Sequence, residues 1–169
     1  MAVREGVRDR GDRFARAVRT AFRRAEIPGR FCPLPGTGNR GAWSDGGHNP
    51  QAARALAREL ARCREEGRYR RIVALWSMLA DKDLPGFLRA MGTAVDAWVA
   101  YPLQDERAAS GPALSAALER AGADYRIAER FEDSWKAARD WAGRGGMTLV
   151  CGSLRTVADA YRHRVGRVP

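Results

Sequence analysis

Apolar and polar positions along this chain follow two rhythms, and the two alternate. One rhythm repeats every three to four residues and marks amphipathic helices; the other is a short unbroken apolar run, the mark of a strand covered on both faces. Phe14, Val18 and Phe22 predict a helix over residues 12–26, ended by Ile27-Pro28-Gly29. Residues 30–44 are punctuated by glycine and proline and hold two short strands, Arg30–Leu34 and Gly41–Ser44. Residues 49–64 give the clearest helix: Asn49 caps it, Pro50 suits its first turn, and Ala53, Leu56, Leu60 and Cys63 form its inner face.

The alternation then continues. Arg71–Trp76 is a buried-type strand, followed by a helix from Leu84 to Gly92 carrying Phe87, Leu88 and Met91. Asp96–Tyr101 is a strand, and Ser110-Gly111-Pro112 opens a helix that runs to Ala121. A weaker strand at Tyr125–Ala128 precedes a helix over 132–142 with Trp135, Ala138 and Trp141 turned inward. Met147–Cys151 is the last strand and Ser153–Arg164 the last helix. Strands separated by helices of this length imply βαβ units: an α/β, Rossmann-like three-layer domain with a mostly parallel sheet and right-handed crossovers. One domain is expected over residues 14–165, with 1–13 as a flexible tail.

Ligands of such a sheet gather beyond the carboxyl ends of its strands. Three of those ends carry unusual residues. Asp45-Gly46-Gly47-His48-Asn49-Pro50 places an acid, two glycines and a helix start in succession. A helix N-terminus offers free N–H groups and a positive dipole, and a neighbouring carboxylate can accept from ribose hydroxyls. The same residues also make a plain βα turn with an asparagine cap. Asp81-Lys82-Asp83, after the strand at 71–76, suits phosphate, metal or a substrate carboxylate, but taken alone reads more readily as a solvated charged loop. Gly152-Ser153 at the last helix suits a bound anion, or Ser153 is simply a cap.

Composition changes this picture little. The 169 residues are 45% hydrophobic and 30% charged, which fits a folded soluble domain. No apolar run is long enough for a membrane span, and the polar N-terminus has no secretory core, so the cytoplasm is expected. Cys32, Cys63 and Cys151 are odd in number and widely spaced, with only His48 and His163 besides. No zinc site is expected, and the thiols read as buried and reduced. The net charge is +10, and all but two of the 30 basic residues are arginine. They are spread along the chain beside acids, which describes a solvated surface better than a specific nucleic-acid footprint.

Read together, the motifs point further. Pro28-Gly29-Arg30-Phe31, Asp45 to Pro50, Met78-Leu79-Ala80-Asp81-Lys82-Asp83, Arg107-Ala108-Ala109-Ser110 and Cys151-Gly152-Ser153-Leu154-Arg155-Thr156-Val157 occur in this order. That series resembles the C-terminal domain of folylpolyglutamate/dihydrofolate synthases, of the Mur ligase family, over residues 14–162. The departures are Gly47 for alanine, Ser77 for glycine and Arg155 where the family often has an aromatic. The resemblance implies an ATP- and Mg2+-dependent ligase that joins glutamate to dihydropteroate or a folate through a phosphorylated carboxylate. It implies that Arg30 reaches the ATP phosphates, that Asp45 accepts from the ribose, and that His48 and Asn49 shape the same site. Asp81, Lys82 and Ser153 would face glutamate or the activated acyl group. No GxxxxGK[ST] phosphate loop occurs in the sequence, so the resemblance assigns that loop and most metal contacts to a separate domain. A split enzyme with a phosphate-loop partner chain, a truncated remnant inactive alone, and a non-catalytic nucleotide-binding or interaction module all remain open.

Overall fold

The computed structural model describes residues 30–37 and 41–165. The helix expected at 12–26, its Pro28-Gly29 break and the flexible tail at 1–13 lie outside these residues. The described chain runs β1 (Cys32–Pro33), β2 (Ala42–Asp45), α1 (Pro50–Glu65), β3 (Ile72–Trp76), α2 (Leu84–Met91), a single 3-10 turn (Gly92–Ala94), β4 (Ala97–Ala100), α3 (Gly111–Arg120), β5 (Tyr125–Ile127), α4 (Phe131–Ala142), β6 (Met147–Cys151) and α5 (Leu154–Val165).

The six strands form one sheet in the order β1-β2-β6-β3-β4-β5. Every pairing is parallel except β1 with β2. The two central strands, β3 and β6, are the two unbroken apolar runs, IVALW and MTLVC, and every residue in both is buried. The expected fold class is therefore the observed one. Asp45, Cys151, Trp76 and Ala100 are register partners across β2, β6, β3 and β4, so four strand ends finish flush.

Two cores sandwich the sheet. Ala53, Leu56 and Leu60 of α1, Phe87 of α2 and Leu114 of α3 pack with Ile72, Ala74 and Trp76 on one face. Phe131, Trp135 and Ala138 of α4 and Ala160 of α5 pack with Val73 and Leu75 on the other. The period-two alternation of β3 thus feeds both cores. Burial of these side chains is worth roughly 1.5–3 kcal/mol each and holds the layers together.

Three details depart from the sequence reading. The first strand pair is shorter and shifted, because only Cys32 and Pro33 ladder with Trp43 and Ser44. β1 also runs antiparallel, as a short hairpin arm rather than a βαβ strand. Trp141 stays at the rim of the core, where the Arg126 guanidinium sits 4.4 Å over its ring and Arg71 at 5.4 Å. The modest apolarity of Gly41–Ser44 has its reason in place: β2 is covered on one side only by a two-residue strand, and its residues alternate between buried and half-buried.

Gly152 shows how tightly the flush edge is built. Its φ is +98°, and a Cβ there would lie 2.5 Å from Trp76 Cδ1 and 2.6 Å from the Ser77 carbonyl oxygen. Gly67 also has positive φ, +65°, but faces open space. Gly152→Ala is expected to cost at least about 2 kcal/mol, from backbone strain plus overpacking, against about 1 kcal/mol for Gly67→Ala. Urea unfolding of both variants checks this ordering; equal losses would contradict it.

Candidate functional site

The crossovers mark where a ligand can sit. The helix after β2, α1, lies on one face; α5, after β6, lies on the other; α2, after β3, returns to the first. Chains that leave neighbouring strand ends in opposite directions open a crevice between them. β6 is therefore flanked by crevices on both sides, and Asp45, Ser77, Gly152 and Ser153 stand at their mouths.

Asp45 is the most constrained of these residues. Its Oδ2 accepts the Phe31 N–H at 3.0 Å and its Oδ1 accepts the Gly47 N–H at 2.7 Å. One carboxylate thus ties the chain before β1 to the turn after β2. Phe31 needs the tie: it is the only described non-glycine residue with positive φ, 22°. Its ring stacks on Trp43 at 4.7 Å, and the Trp43 indole N–H donates to the Tyr69 hydroxyl at 2.7 Å. Burial pushes the Asp45 carboxyl above its ordinary value, while the two backbone N–H groups and the positive charge of Arg30 pull it down.

Arg30 and Asp45 come together. With Phe31, Ala52, Leu56 and Arg58 they line a cavity of about 180 Å3 against the first turns of α1. Arg30 is exposed. Asn49 caps α1 by accepting the Ala52 N–H at 2.8 Å. His48 is exposed; its Nδ1 lies 3.2 Å from the Gly46 carbonyl, which can only accept, so Nε2 is left as an acceptor in the neutral ring. Gly47 is a close fit: a Cβ there would lie 2.8 Å from both Ala52 Cβ and Asp45 Oδ1. Arg58 and Glu59 also line the cavity and were missed, since on a helix's polar face they carry no signal in the sequence.

The remaining candidates share the edge. Lys82 Nζ bonds Asp81 Oδ2 at 2.9 Å, and that bond holds the Asp81 carboxyl below its ordinary value. Asp83 is committed to capping α2, accepting the Gly86 N–H at 2.8 Å. The 78–83 loop is braced by 107–110: Ala80 N–H donates to Arg107 O and Ala109 N–H to Met78 O. Ser153 is buried at the start of α5, where its Oγ accepts the Arg155 N–H at 3.1 Å. Ser77 is also buried; its carbonyl accepts from Thr156 Oγ1 at 3.1 Å, and its Oγ has no partner. Asp81 and Lys82 therefore bond each other rather than Asp45 or Ser153.

A third change of crossover direction lies between β4 and β5, near a cavity of 510 Å3 whose lining includes Tyr101, Asp105, Arg155, Asp159 and Arg162. Two arginine–aspartate pairs span it. Arg155 pairs with Asp105 and Arg162 with Asp159, which also accepts from the Tyr101 hydroxyl at 2.8 Å. Arg155, foreign to the expected pattern, thus closes an ion pair to the loop after β4. Among the described residues no group of three or more His, Cys, Asp or Glu side chains is placed to hold a metal. The three cysteines are buried and free.

Comparison with known proteins agrees with the fold. Residues 29–154 match the family model described as Mur ligase, glutamate ligase domain. The chain is 34% identical to the dihydrofolate synthase/folylpolyglutamate synthase of Escherichia coli K12 over 142 residues, which are 84% of this chain and 32% of that protein. Among solved structures, Mycobacterium tuberculosis folylpolyglutamate synthase complexed with ADP and AMPPCP superposes with a TM-score of 0.74 at 31% identity, covering 90% of this chain and 35% of that one. The bifunctional synthase of Yersinia pestis complexed with AMPPNP and Mn gives 0.71 at 32%, covering 83% and 32%. The chain spans about a third of the length of the Escherichia coli and Mycobacterium tuberculosis synthases it resembles.

The Asp45 tie has a measurable signature. A carboxyl whose folded pKa is raised binds more protons folded than unfolded between its ordinary value of 3.8 and its raised one, so its contribution falls as pH rises through that window. Asp45→Asn cannot titrate, and it offers one acceptor where two N–H groups need one. It is expected to cost about 1–3 kcal/mol, with the gap to wild type shrinking as pH rises through the window. Urea midpoints from acid to neutral pH check both; a gap that widens with pH would contradict the buried carboxylate.

Proposed function

The chain belongs to the Mur ligase, glutamate ligase domain family, and from that premise we propose that it supplies the nucleotide- and glutamate-facing half of an ATP-dependent ligase acting on dihydropteroate or a folate. The observation that carries the reading is the cavity shared by Arg30 and Asp45 at the carboxyl edge of the sheet, beside the N-terminus of α1. The donor set fits a nucleotide: two guanidinium groups, Arg30 and Arg58, border a carboxylate with unused lone pairs, next to a helix start.

In this reading Arg30 holds phosphate oxygens with its fixed planar fork. Asp45 keeps the segment carrying Arg30 in place and takes ribose hydroxyls on its remaining lone pairs. His48 and Asn49 frame the nucleotide side. Asp81, Lys82 and Ser153 face the glutamate, with Lys82 balancing carboxylate charge and the start of α5 presenting N–H groups. ATP, when bound, supplies the activation of the acceptor's carboxylate. Mg2+ is assigned mainly to a phosphate-loop domain, on the same or a separate chain. The setting is the cytoplasm; among the described residues no helix is long and apolar enough to cross a membrane. A second reading, a nucleotide-binding module without catalysis, is favoured by the engagement of both Asp45 oxygens with backbone N–H groups.

Arg30→Ala separates binding from folding, because Arg30 is exposed, whereas Asp45 variants disturb the Phe31 segment. With MgATP, amide resonances of Phe31, Gly47 and Ala52 are expected to shift saturably. Arg30→Ala should weaken this by roughly tenfold to a hundredfold, the worth of a charged hydrogen bond, with an unchanged melting temperature. Equal affinity in the variant would contradict the assignment of Arg30. Binding without ligation once a phosphate-loop domain is supplied would favour the second reading.

A further inference from the structure

The opposite edge of the sheet, where the strands begin, carries a second and larger opening. Gly41, Arg68, Tyr69, Arg139, Arg144 and the glycines at 143, 145 and 146 line a cleft of about 1150 Å3. These residues come from three separate stretches of sequence: the end of the Gly/Pro segment, the loop into β3, and the turn between α4 and β6. Three guanidinium groups face one acid, Asp140.

Two of these three guanidinium groups, Arg139 and Arg144, have no ion-pair partner among the described residues, while Arg68 pairs with Glu66 at 2.6 Å. Arg139 is placed all the same: its guanidinium lies 6.0 Å over the Trp135 ring, and a Cβ at Gly41 would lie 2.7 Å from its Nη1. The 143–146 turn brings backbone close to the opening, with φ of +66° at Gly143 and +78° at Gly145. Apart from Tyr69, the side chains that line the cleft are charged, so charge sets what it recognises. The cleft is too large for one small anion, and guanidinium forks match phosphate oxygens in pairs.

We propose that the cleft at the amino edge of the sheet, between Arg68, Arg139 and Arg144, is a second anion site, separate from the Arg30–Asp45 cavity, that takes a ligand carrying several linked phosphate groups. The net charge of +10 draws such ligands to the chain, and the cleft gives them a fixed seat. The phosphates come either from a soluble polyphosphate compound or from a nucleic-acid backbone; both present the same chemistry.

The full chain titrated with inorganic tripolyphosphate, followed by amide shifts, tests this. The amides of Gly143, Gly145 and Gly146 are expected to move saturably. Arg144→Gln and Arg139→Gln should each weaken that response tenfold or more, and Arg30→Gln should leave it unchanged. Among the described residues Arg144 makes no side-chain ion pair, so its variant is expected to keep the fold. A parallel titration with a short single-stranded RNA identifies the source. Affinity well above that for tripolyphosphate, with a steep salt dependence, assigns the site to a nucleic-acid backbone; tripolyphosphate binding alone assigns it to a soluble compound. Glycine amides that stay still, or that respond equally in all three variants, would overturn the proposal.

Discussion

One half-buried carboxylate holds the functional edge of this domain together. Asp45 ends β2, and its two oxygens accept N–H groups from residues on either side of it in space, Phe31 and Gly47. The tie keeps Phe31 in a positive-φ conformation that a side chain otherwise avoids. It also fixes where Arg30 emerges and where the chain turns into α1. Burial makes the charge costly, and the paired N–H groups together with Arg30 offset part of that cost. Exchange of this residue therefore changes structure before it changes chemistry, which a reading of Asp45 as a ribose acceptor alone would overlook.

Around that tie the fold separates two kinds of surface. Parallel strands send all their carboxyl ends to one side, and crossovers that alternate between faces open crevices there. The caps Asn49, Asp83 and Ser110 and the buried Ser153 begin helices at that same side, so four helix N-termini point toward one edge. Their dipoles favour anionic ligands. The other edge holds the strand starts and the C-terminal ends of the helices, where Arg62 and Arg64 close α1 and Arg139 closes α4. Arginine at helix ends is ordinary dipole compensation; arginines grouped around a glycine-lined cleft, two of them without an ion pair among the described residues, are more than that.

Much of this was legible in the sequence because burial leaves periodic marks. The unbroken apolar runs at 72–76 and 147–151 are the two central strands, and the inner face read for 49–64 is the buried face of α1. The direction of β1 was not legible, since two residues carry no periodicity. Trp141 was read as core, but aromatic size says nothing of the two arginines that hold it at the rim. The motif residues of the candidate site were legible by kind and only partly by role. Nothing in a linear reading says that Asp45 reaches back fourteen residues to Phe31, or that Asp81 and Lys82 bond each other. Arg68, Arg139 and Arg144 looked like scattered surface charge because their neighbourhood exists only after the sheet forms.

The most direct test of the Asp45 tie is hydrogen exchange at two backbone positions. The amides of Phe31 and Gly47 lie outside every helix and strand, so as loop amides they would exchange freely. Held by the half-buried Asp45 carboxylate, they are expected to exchange at least about tenfold more slowly than unbonded loop amides. Exchange of both at the rate of exposed loops would contradict the account.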